Sequence, residues 1–287
     1  LRHFNGMFAF ALWDAAIGKL WLVRDRLGEK PLYVMRTGRS LYFASEAKAL
    51  WRVPGFSGRL DRRAIDQYLS FRYVPGERTF YEGIRKLPAA HSMVIDTDGA
   101  VAVSLWWNIP HERDKRPVSA GDCLDEFHEL FASAVSMRMV SDVPLGILLS
   151  SGIDSSSIAV EMAERTPPVC ITAGFNDGIA DEREGAARLV ERLGGHSHSF
   201  EIDTNDFSVL TDAVRAMDEP YGDAVIVATY LLARRARESV KVVLTGDGAD
   251  ECLGGYLHHD YFRYVPAGMP RALARCAALC TGALPFF

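Results

Sequence analysis

The stretch PLGILLSSGIDSSSIAV, residues 144–160, decides how the chain is read. It opens as a short apolar run, breaks at Ser-Ser-Gly and resumes with helical spacing. Strand, small-residue turn and helix start form an arrangement that binds phosphate, because a helix N-terminus offers unpaired N–H groups and the positive end of a dipole. Gly152 permits the turn, and Ser150, Ser151, Ser155 and Ser156 supply hydroxyls. Asp154 would repel a bare phosphate but suits one that carries Mg2+. The Walker pattern with its lysine and the GxGxxG fingerprint are both absent, so backbone and hydroxyls must carry the anion. The plain alternative is a Ser/Asp cap on an ordinary helix.

Outward from this stretch, strand and helix patterns alternate. Leu124, Phe127, Leu130, Phe131 and Val135 share a helical stripe. PLGILL precedes DSSSIAVEMAERT, VCITAGF precedes DEREGAARLVERLG, SHSFEI precedes two helical stretches, and VKVVLT precedes the glycine-rich GDGADECLGGY. Such alternation predicts βαβ units on a parallel sheet with helices on both faces, and ligands at the C-terminal ends of its strands. The loops after Leu149 and after Leu244 both lie at such ends. The second groups Asp247, Asp250 and Glu251, carboxylates suited to metal ligation or acid/base work, although a solvated acidic loop reads equally well alone. His196 and His198 have no Cys or third His nearby and read as polar strand-face residues. DEPYGDAVIVATYLLARRARE, residues 218–238, reads as a turn that becomes a helix, with the first half of the stretch available to line a small-molecule pocket.

Residues 1–107 have a different texture. GMFAFALW and KLWLVRD, PLYVM and LYFAS, and HSMVID and VAVSLWW are apolar runs closed by turn residues, which predicts antiparallel hairpins. LDRRAIDQYLSF reads as a helix between them, and Phe8, Phe10 and Trp13 as core. The charged, proline-bearing segment 108–121 reads as an interdomain linker. The composition is that of an ordinary globular protein, with 287 residues, 48% hydrophobic residues and a net charge of -5. That balance argues against a nucleic-acid protein held by a basic face. Five scattered cysteines without a CxxC pair read as reduced thiols, and no apolar run is long enough to span a membrane. The start at Leu1 in an apolar stretch and the end on Phe286 and Phe287 read as cuts through a larger protein.

Taken together, these motifs resemble the glutamine-dependent asparagine synthetase family. NGMFAFALWD, VRDRLGEKPLY, FASEAKAL and GIRKLPAAH are similar to the later part of its class II glutaminase domain. DVPLGILLSSGIDSSSIA resembles its pyrophosphate loop, usually SGGxDS, and DEPYGDA followed by VVLTGDGADECLGGY resembles its second nucleotide loop. The resemblance implies the C-terminal part of an α+β antiparallel Ntn-type glutaminase domain over 1–107. Over 122–287 it implies the N-terminal part of an α/β synthetase domain, doubly wound, mainly parallel and adenine nucleotide alpha hydrolase-like.

The activity implied is a cytoplasmic, ATP- and Mg2+-dependent ligase. It amidates L-aspartate to L-asparagine through β-aspartyl-AMP, with ammonia supplied as such or from L-glutamine, and with a homodimer among its forms. Ser150, Ser151, Gly152, Asp154, Ser155 and Ser156 would form the pyrophosphate loop. Leu149, Ala173, Thr245 and Gly246 would touch the nucleotide, Asp154 and Asp250 would ligate Mg2+, and Asp247 would serve the adenylation and ammonia steps. No glutaminase nucleophile lies in this sequence. Ser151 departs from the family by replacing the first glycine of the pair, which predicts a tuned loop rather than a dead one. Two alternatives stand beside this: the same fold acting on another carboxylate, and a nucleotide-binding module without catalysis.

Overall fold

The computed structural model describes residues 1–109, 119–176, 181–203, 207–223, 225–256 and 259. Most of the expected linker and the end of the chain after 259 therefore lie outside the described residues. The architecture is mixed α/β: one parallel sheet and two antiparallel sheets. The chain divides into two compact units, 1–123 with 208–226, and 124–207 with 227–287.

In the first unit, β1 (Ala9–Asp14), β2 (Lys19–Arg24), β6 (His91–Asp96) and β7 (Val101–Leu105) form an antiparallel sheet in the order β1-β2-β6-β7. A second sheet has the order β4-β3-β5, from β3 (Tyr33–Thr37), β4 (Ser40–Ala44) and β5 (Ile84–Lys86). All three expected hairpins are present, because their turn residues close runs of matched length. Leu22, Leu32, Val34, Leu87 and Met93 form one core cluster of these sheets. Asp25 is buried after β2 and accepts hydrogen bonds from the N–H groups of Phe8, Leu27, Glu29 and Lys30 at 2.9–3.2 Å. One carboxylate thereby satisfies a turn that has no ladder partners of its own.

The short helix α1 (Ala47–Leu50) follows, then α2 (Arg62–Phe71), capped by Asp61 through the N–H groups of Arg63 and Ala64. Trp13 lies on edge strand β1 and is exposed, while Phe8 and Phe10 are half-buried in a ring cluster with Phe4 and Trp106. The core expected of this trio is therefore a partial one, since an edge strand has neighbours on one side only.

The second unit is built on a parallel sheet with the order β10-β9-β8-β11. Along the chain come α3 (Ala120–Arg138), β8 (Leu145–Leu148), α4 (Ile153–Ala163), β9 (Val169–Phe175), α5 (Arg183–Leu193) and β10 (His196–Ile202). Then α6 (Leu210–Met217) joins the first unit, and α7 (Val225–Ser239), β11 (Val242–Leu244) and α8 (Ala249–Leu253) follow. Both faces of the sheet are covered. Ile147 and Cys170 pack with Ala159, Met162, Ala186 and Val190 of α4 and α5. On the other face, Ile171 packs with Ala236 and Val240 at the end of α7.

The stripe on α3 is only partly buried. Val135 is in the core and Phe131 packs against it, whereas Leu124, Phe127 and Leu130 border an open groove of about 790 Å3 or face outward. His196 and His198 are exposed on edge strand β10, as polar strand-face residues. No helix among the described residues is long and apolar enough to cross a membrane.

Candidate nucleotide site at the switch point of the parallel sheet

The order β10-β9-β8-β11 fixes where a ligand can sit. From β8 the chain runs through α4 to β9 and through α5 to β10, always outward on one side. The next strand, β11, returns to the other side of β8. The strand order therefore reverses between β8 and β11, and a crevice opens there beyond the strand carboxyl ends. The loops at that crevice are Leu149–Gly152 and Thr245–Gly248, the two that the sequence singled out.

The first loop is organised around Ser155, the buried third residue of α4. The Ser155 hydroxyl accepts from the Ser150 N–H at 3.1 Å and shares a 2.8 Å hydrogen bond with the Ser150 hydroxyl. The Gly152 N–H donates to the Ser150 hydroxyl at 3.1 Å. Two serines thus close the turn between strand and helix. The Gly152 side offers no side-chain cap to α4, so the first N–H groups of that helix keep donor capacity for an external acceptor. Leu149 is anchored in the core and donates its N–H to the Ile171 carbonyl at 2.9 Å.

The second loop approaches the first closely. A Cβ built on Gly246 would lie 3.1 Å from the Asp154 Cβ and 3.2 Å from the Ser155 nitrogen. A side chain there would displace the start of α4, so the bare Gly246 lets the segment after β11 pack on the turn that opens α4. Beyond it, Asp247 is exposed and Asp250 half-buried on the first turn of α8. Glu251 accepts from the Tyr256 hydroxyl at 2.7 Å, which holds its carboxyl below the ordinary range and pushes the Tyr256 phenol up to about 12.

The structure accommodates Ser151 without strain. Its φ is not among the positive values, and its hydroxyl donates to Glu182 just before α5 at 3.3 Å. The Ser151 Cβ packs where Gly185 leaves room, 3.0 Å from the position of a Gly185 Cβ. Ser156 does not join the Ser150–Ser155 network. Its backbone continues α4 and its side chain borders the groove between α3 and α4. Ala173 lies half-buried in β9 opposite Phe200.

The sequence reading missed three contributors. Glu182 receives Ser151. Asp181 forms a bidentate pair with Arg183 beside Gly174, with N–O distances of 2.8 and 2.6 Å. Thr172, at the middle of β9, is buried with a hydroxyl that meets no partner among the described residues. The acidic run before α5 was the only local signal for the first two, and Thr172 carries none.

DEPYGDA is tied down by contacts of its own. Residues 208–226 belong to the first unit, where Asp218 accepts from the Ala47 N–H at 2.6 Å and pairs with Lys48 at 3.0 Å. Glu219 pairs with Lys86 at 2.8 Å, and the Gly222 N–H donates to the Arg72 carbonyl at 2.8 Å. Asp223 caps the start of α7 through the Val225 N–H. Among the described residues no three His, Cys, Asp or Glu side chains gather to hold a metal.

Comparison with known proteins agrees with this geometry. Residues 126–279 match the family model described as asparagine synthase, and residues 1–107 match a glutamine amidotransferase domain. A Methanocaldococcus jannaschii protein, described provisionally as glutamine-hydrolysing asparagine synthetase 2, is 32% identical over 93% of this chain and 54% of its own length. The glutamine-hydrolysing asparagine synthetase 1 of Bacillus subtilis is 31% identical over 96% of this chain and 44% of its own. A protein of Gibberella zeae named amidase chry2 is 30% identical over 92% of this chain and 41% of its own. The chain thus spans about half the length of the curated relatives it matches. With its family model covering more than half of the sequence and both loops of the crevice inside the match, the chain belongs to the asparagine synthase family.

Proposed function

We propose that the crevice between β8 and β11 binds ATP and activates a carboxylate as an acyl-adenylate, which ammonia then amidates. The substrate of this reading is L-aspartate, activated as β-aspartyl-AMP and converted to L-asparagine, with pyrophosphate and AMP as products. The observation that carries it is the contact of Gly246 with Asp154 and Ser155, which joins a phosphate-type turn to a carboxylate-bearing loop. Residues 1–107 are in this reading the later part of an Ntn-type glutaminase domain, and glutamine would supply the ammonia only in a full-length protein that also carries the nucleophile. Residues 122–287 form the first part of an adenine nucleotide alpha hydrolase-like synthetase domain, with 108–121 as the linker.

In this mechanism the N-terminal N–H groups of α4, with the Ser150, Ser151, Gly152, Ser155 and Ser156 segment, hold the β- and γ-phosphates as the leaving group. Leu149, Ala173, Thr245 and Gly246 border the nucleoside and the α-phosphate. The donor set suits Mg2+, which is commonly held by one or two carboxylates plus phosphate oxygens rather than by an all-protein cage. Asp154, beside Gly246, and Asp250 would supply those carboxylates, and the ion neutralises phosphate charge when bound. Asp247 is exposed at the mouth of the loop, where it orients the amine that attacks the acyl-adenylate and accepts its proton. The turn carries no P-loop lysine, so within it backbone N–H groups and hydroxyls carry the departing pyrophosphate. The protein works in the cytoplasm in this reading, as a monomer or homodimer.

A second reading changes the acid while keeping the loop. It is supported by the similarity to a protein named an amidase. The test is release of pyrophosphate and AMP from ATP with ammonia present, measured with and without L-aspartate, on this sequence together with whatever its reading frame adds on either side. Aspartate-dependent AMP with asparagine as product is expected. AMP formed equally without aspartate moves the activity to another carboxylate. ATP binding with no AMP under any condition leaves a nucleotide-binding module and overturns the proposal.

A further inference from the structure

A cleft of about 590 Å3 in the first unit gathers five arginines: Arg59, Arg62, Arg63, Arg78 and Arg85. The whole chain carries a net charge of -5, so this concentration runs against its overall balance. Two carboxylates share the cleft. Asp61 pairs with Arg78 at 2.6 Å and stands 3.8 Å from Arg85, and Glu82 pairs with Arg59 at 3.3 Å. Two carboxylates offset two of the five charges, with Asp61 shared between Arg78 and Arg85, and among the described residues Arg62 and Arg63 have no ion pair, so the cleft keeps an excess of three positive charges.

The backbone makes the crowding worse. Arg78 and Arg85 face each other across an antiparallel bridge, and like charges directly opposite destabilise such a pair. Asp61 relieves only part of it. Its carboxylate also caps α2 through the Arg63 and Ala64 N–H groups, and its pKa stays low although burial alone would raise it, with the Arg78 hydrogen bond the leading opposing cause. The cleft is open over Gly83, where a Cβ would meet nothing within 4 Å. An arrangement that costs folding energy, keeps three positive charges in excess and leaves space between them has the form of an anion receptor.

We infer that this cleft binds a small polyphosphate anion, of the size of pyrophosphate or a nucleotide phosphate chain, through Arg62, Arg63 and Arg85. Guanidinium forks match phosphate oxygens two at a time, and three of them exceed what a single carboxylate or monoanion needs. The cleft is built from residues of the first unit and the crevice from residues of the second, and the inference does not rest on the function proposed for the crevice.

The experiment is arginine footprinting by phenylglyoxal with peptide mass spectrometry, with inorganic pyrophosphate as the probe and chelator present. Pyrophosphate is expected to protect Arg62, Arg63 and Arg85 while leaving the exposed Arg39 and Arg234 at their uncompeted rate, and high salt should abolish the protection. Arg62→Glu combined with Arg63→Glu should weaken protection of Arg85 about a hundredfold, as the loss of two charge-assisted contacts of at least tenfold each. Orthophosphate and AMP separate the sources: pyrophosphate must compete far better than orthophosphate, and ATP better than AMP. Equal protection of all exposed arginines, or protection of Arg85 unchanged in the double variant, overturns the inference. Ser155→Ala serves as the control that leaves this cleft untouched.

Discussion

Replacing Glu219 by Ala should destabilise the first unit far more than its place in a turn suggests. The Glu219 carboxylate pairs with Lys86 at 2.8 Å and accepts the Phe80 N–H at 3.3 Å, with side chains 14% and 18% exposed for Glu219 and Lys86. Truncation strands the Lys86 ammonium with one remaining partner, the Val74 carbonyl at 2.9 Å, and removes an acceptor from the Phe80 N–H. Breaking a fully buried pair from one side costs about 3–5 kcal/mol. Residual solvent around both groups lowers that, so a loss of roughly 2–3 kcal/mol is expected. For a protein of this size that shifts the midpoint by about 4–12 °C. Glu184→Ala is the matched control: its pair with Arg188 sits on exposed α5, with side chains 84% and 65% exposed, and should cost under about 1 kcal/mol. Equilibrium urea unfolding measures both, with hydrogen exchange across Arg215–Gly222 showing whether the loss is local. In the double variant with Lys86→Met, much of the loss should be recovered, since the stranded charge is gone. If Glu219→Ala and Glu184→Ala cost the same, residues 218–222 are not held in the first unit by these pairs and the reasoning fails.

Further outcomes can be measured with the same preparations. Gly246→Val should abolish pyrophosphate release under the proposed function while the far-UV spectrum is kept, because the added side chain must displace Asp154 and the Ser155 nitrogen; retained turnover would dissociate the two loops. Ser155→Ala should lower stability by about 1 kcal/mol through loss of the Ser150 hydrogen bonds and should weaken ATP binding, read by calorimetry. Asp25→Ala should cost roughly 3 kcal/mol or more by orphaning four N–H donors, measured as a lowered urea midpoint. Tyr33 gives a pH signature. Burial first, then Glu219 and Asp218, push its phenol from 10.0 up to about 12. A raised folded-state value means full stability below pH 10 and loss as pH rises towards 12. At one pKa unit per 1.36 kcal/mol the loss reaches about 2–3 kcal/mol. Tyr33→Phe should reduce the loss over that range, leaving the contributions of Tyr256, of the buried Cys170 thiol and of Lys48, whose ammonium Asp218 also holds up; an unchanged profile would refute the assignment.

What the sequence reveals here depends on how local the cause is. The three hairpins, the βαβ alternation and both crevice loops are legible because each rests on periodicity and turn residues within a dozen positions. The helix α1 and the strand β5, of four and three residues, are too short for any period to register. The helix α8 hides in a glycine-rich run, since Gly248 and Gly254 at its ends take left-handed φ values that read as loop. The α3 stripe misleads in the opposite way: its apolar spacing predicts a helix correctly, but says nothing of whether Leu124 and Leu130 find a partner. Placement of Asp218 is beyond local reading altogether, because its partner Ala47 lies 171 positions away.

Ser151 shows how a departure from a family pattern becomes understandable only in three dimensions. A second glycine in the turn is needed where φ is positive or where no side chain fits. Neither condition holds at Ser151: its φ is ordinary, and its Cβ occupies the room left by Gly185. The requirement for a missing side chain has moved from the turn to the helix facing it. Larger residues at 185 should therefore damage the turn as a glycine-to-bulk change at 151 would elsewhere. Ser151→Gly combined with Gly185→Ala should function where Gly185→Ala alone is impaired. Failure of that rescue would mean the serine is needed for its hydrogen bond to Glu182 rather than tolerated for its size.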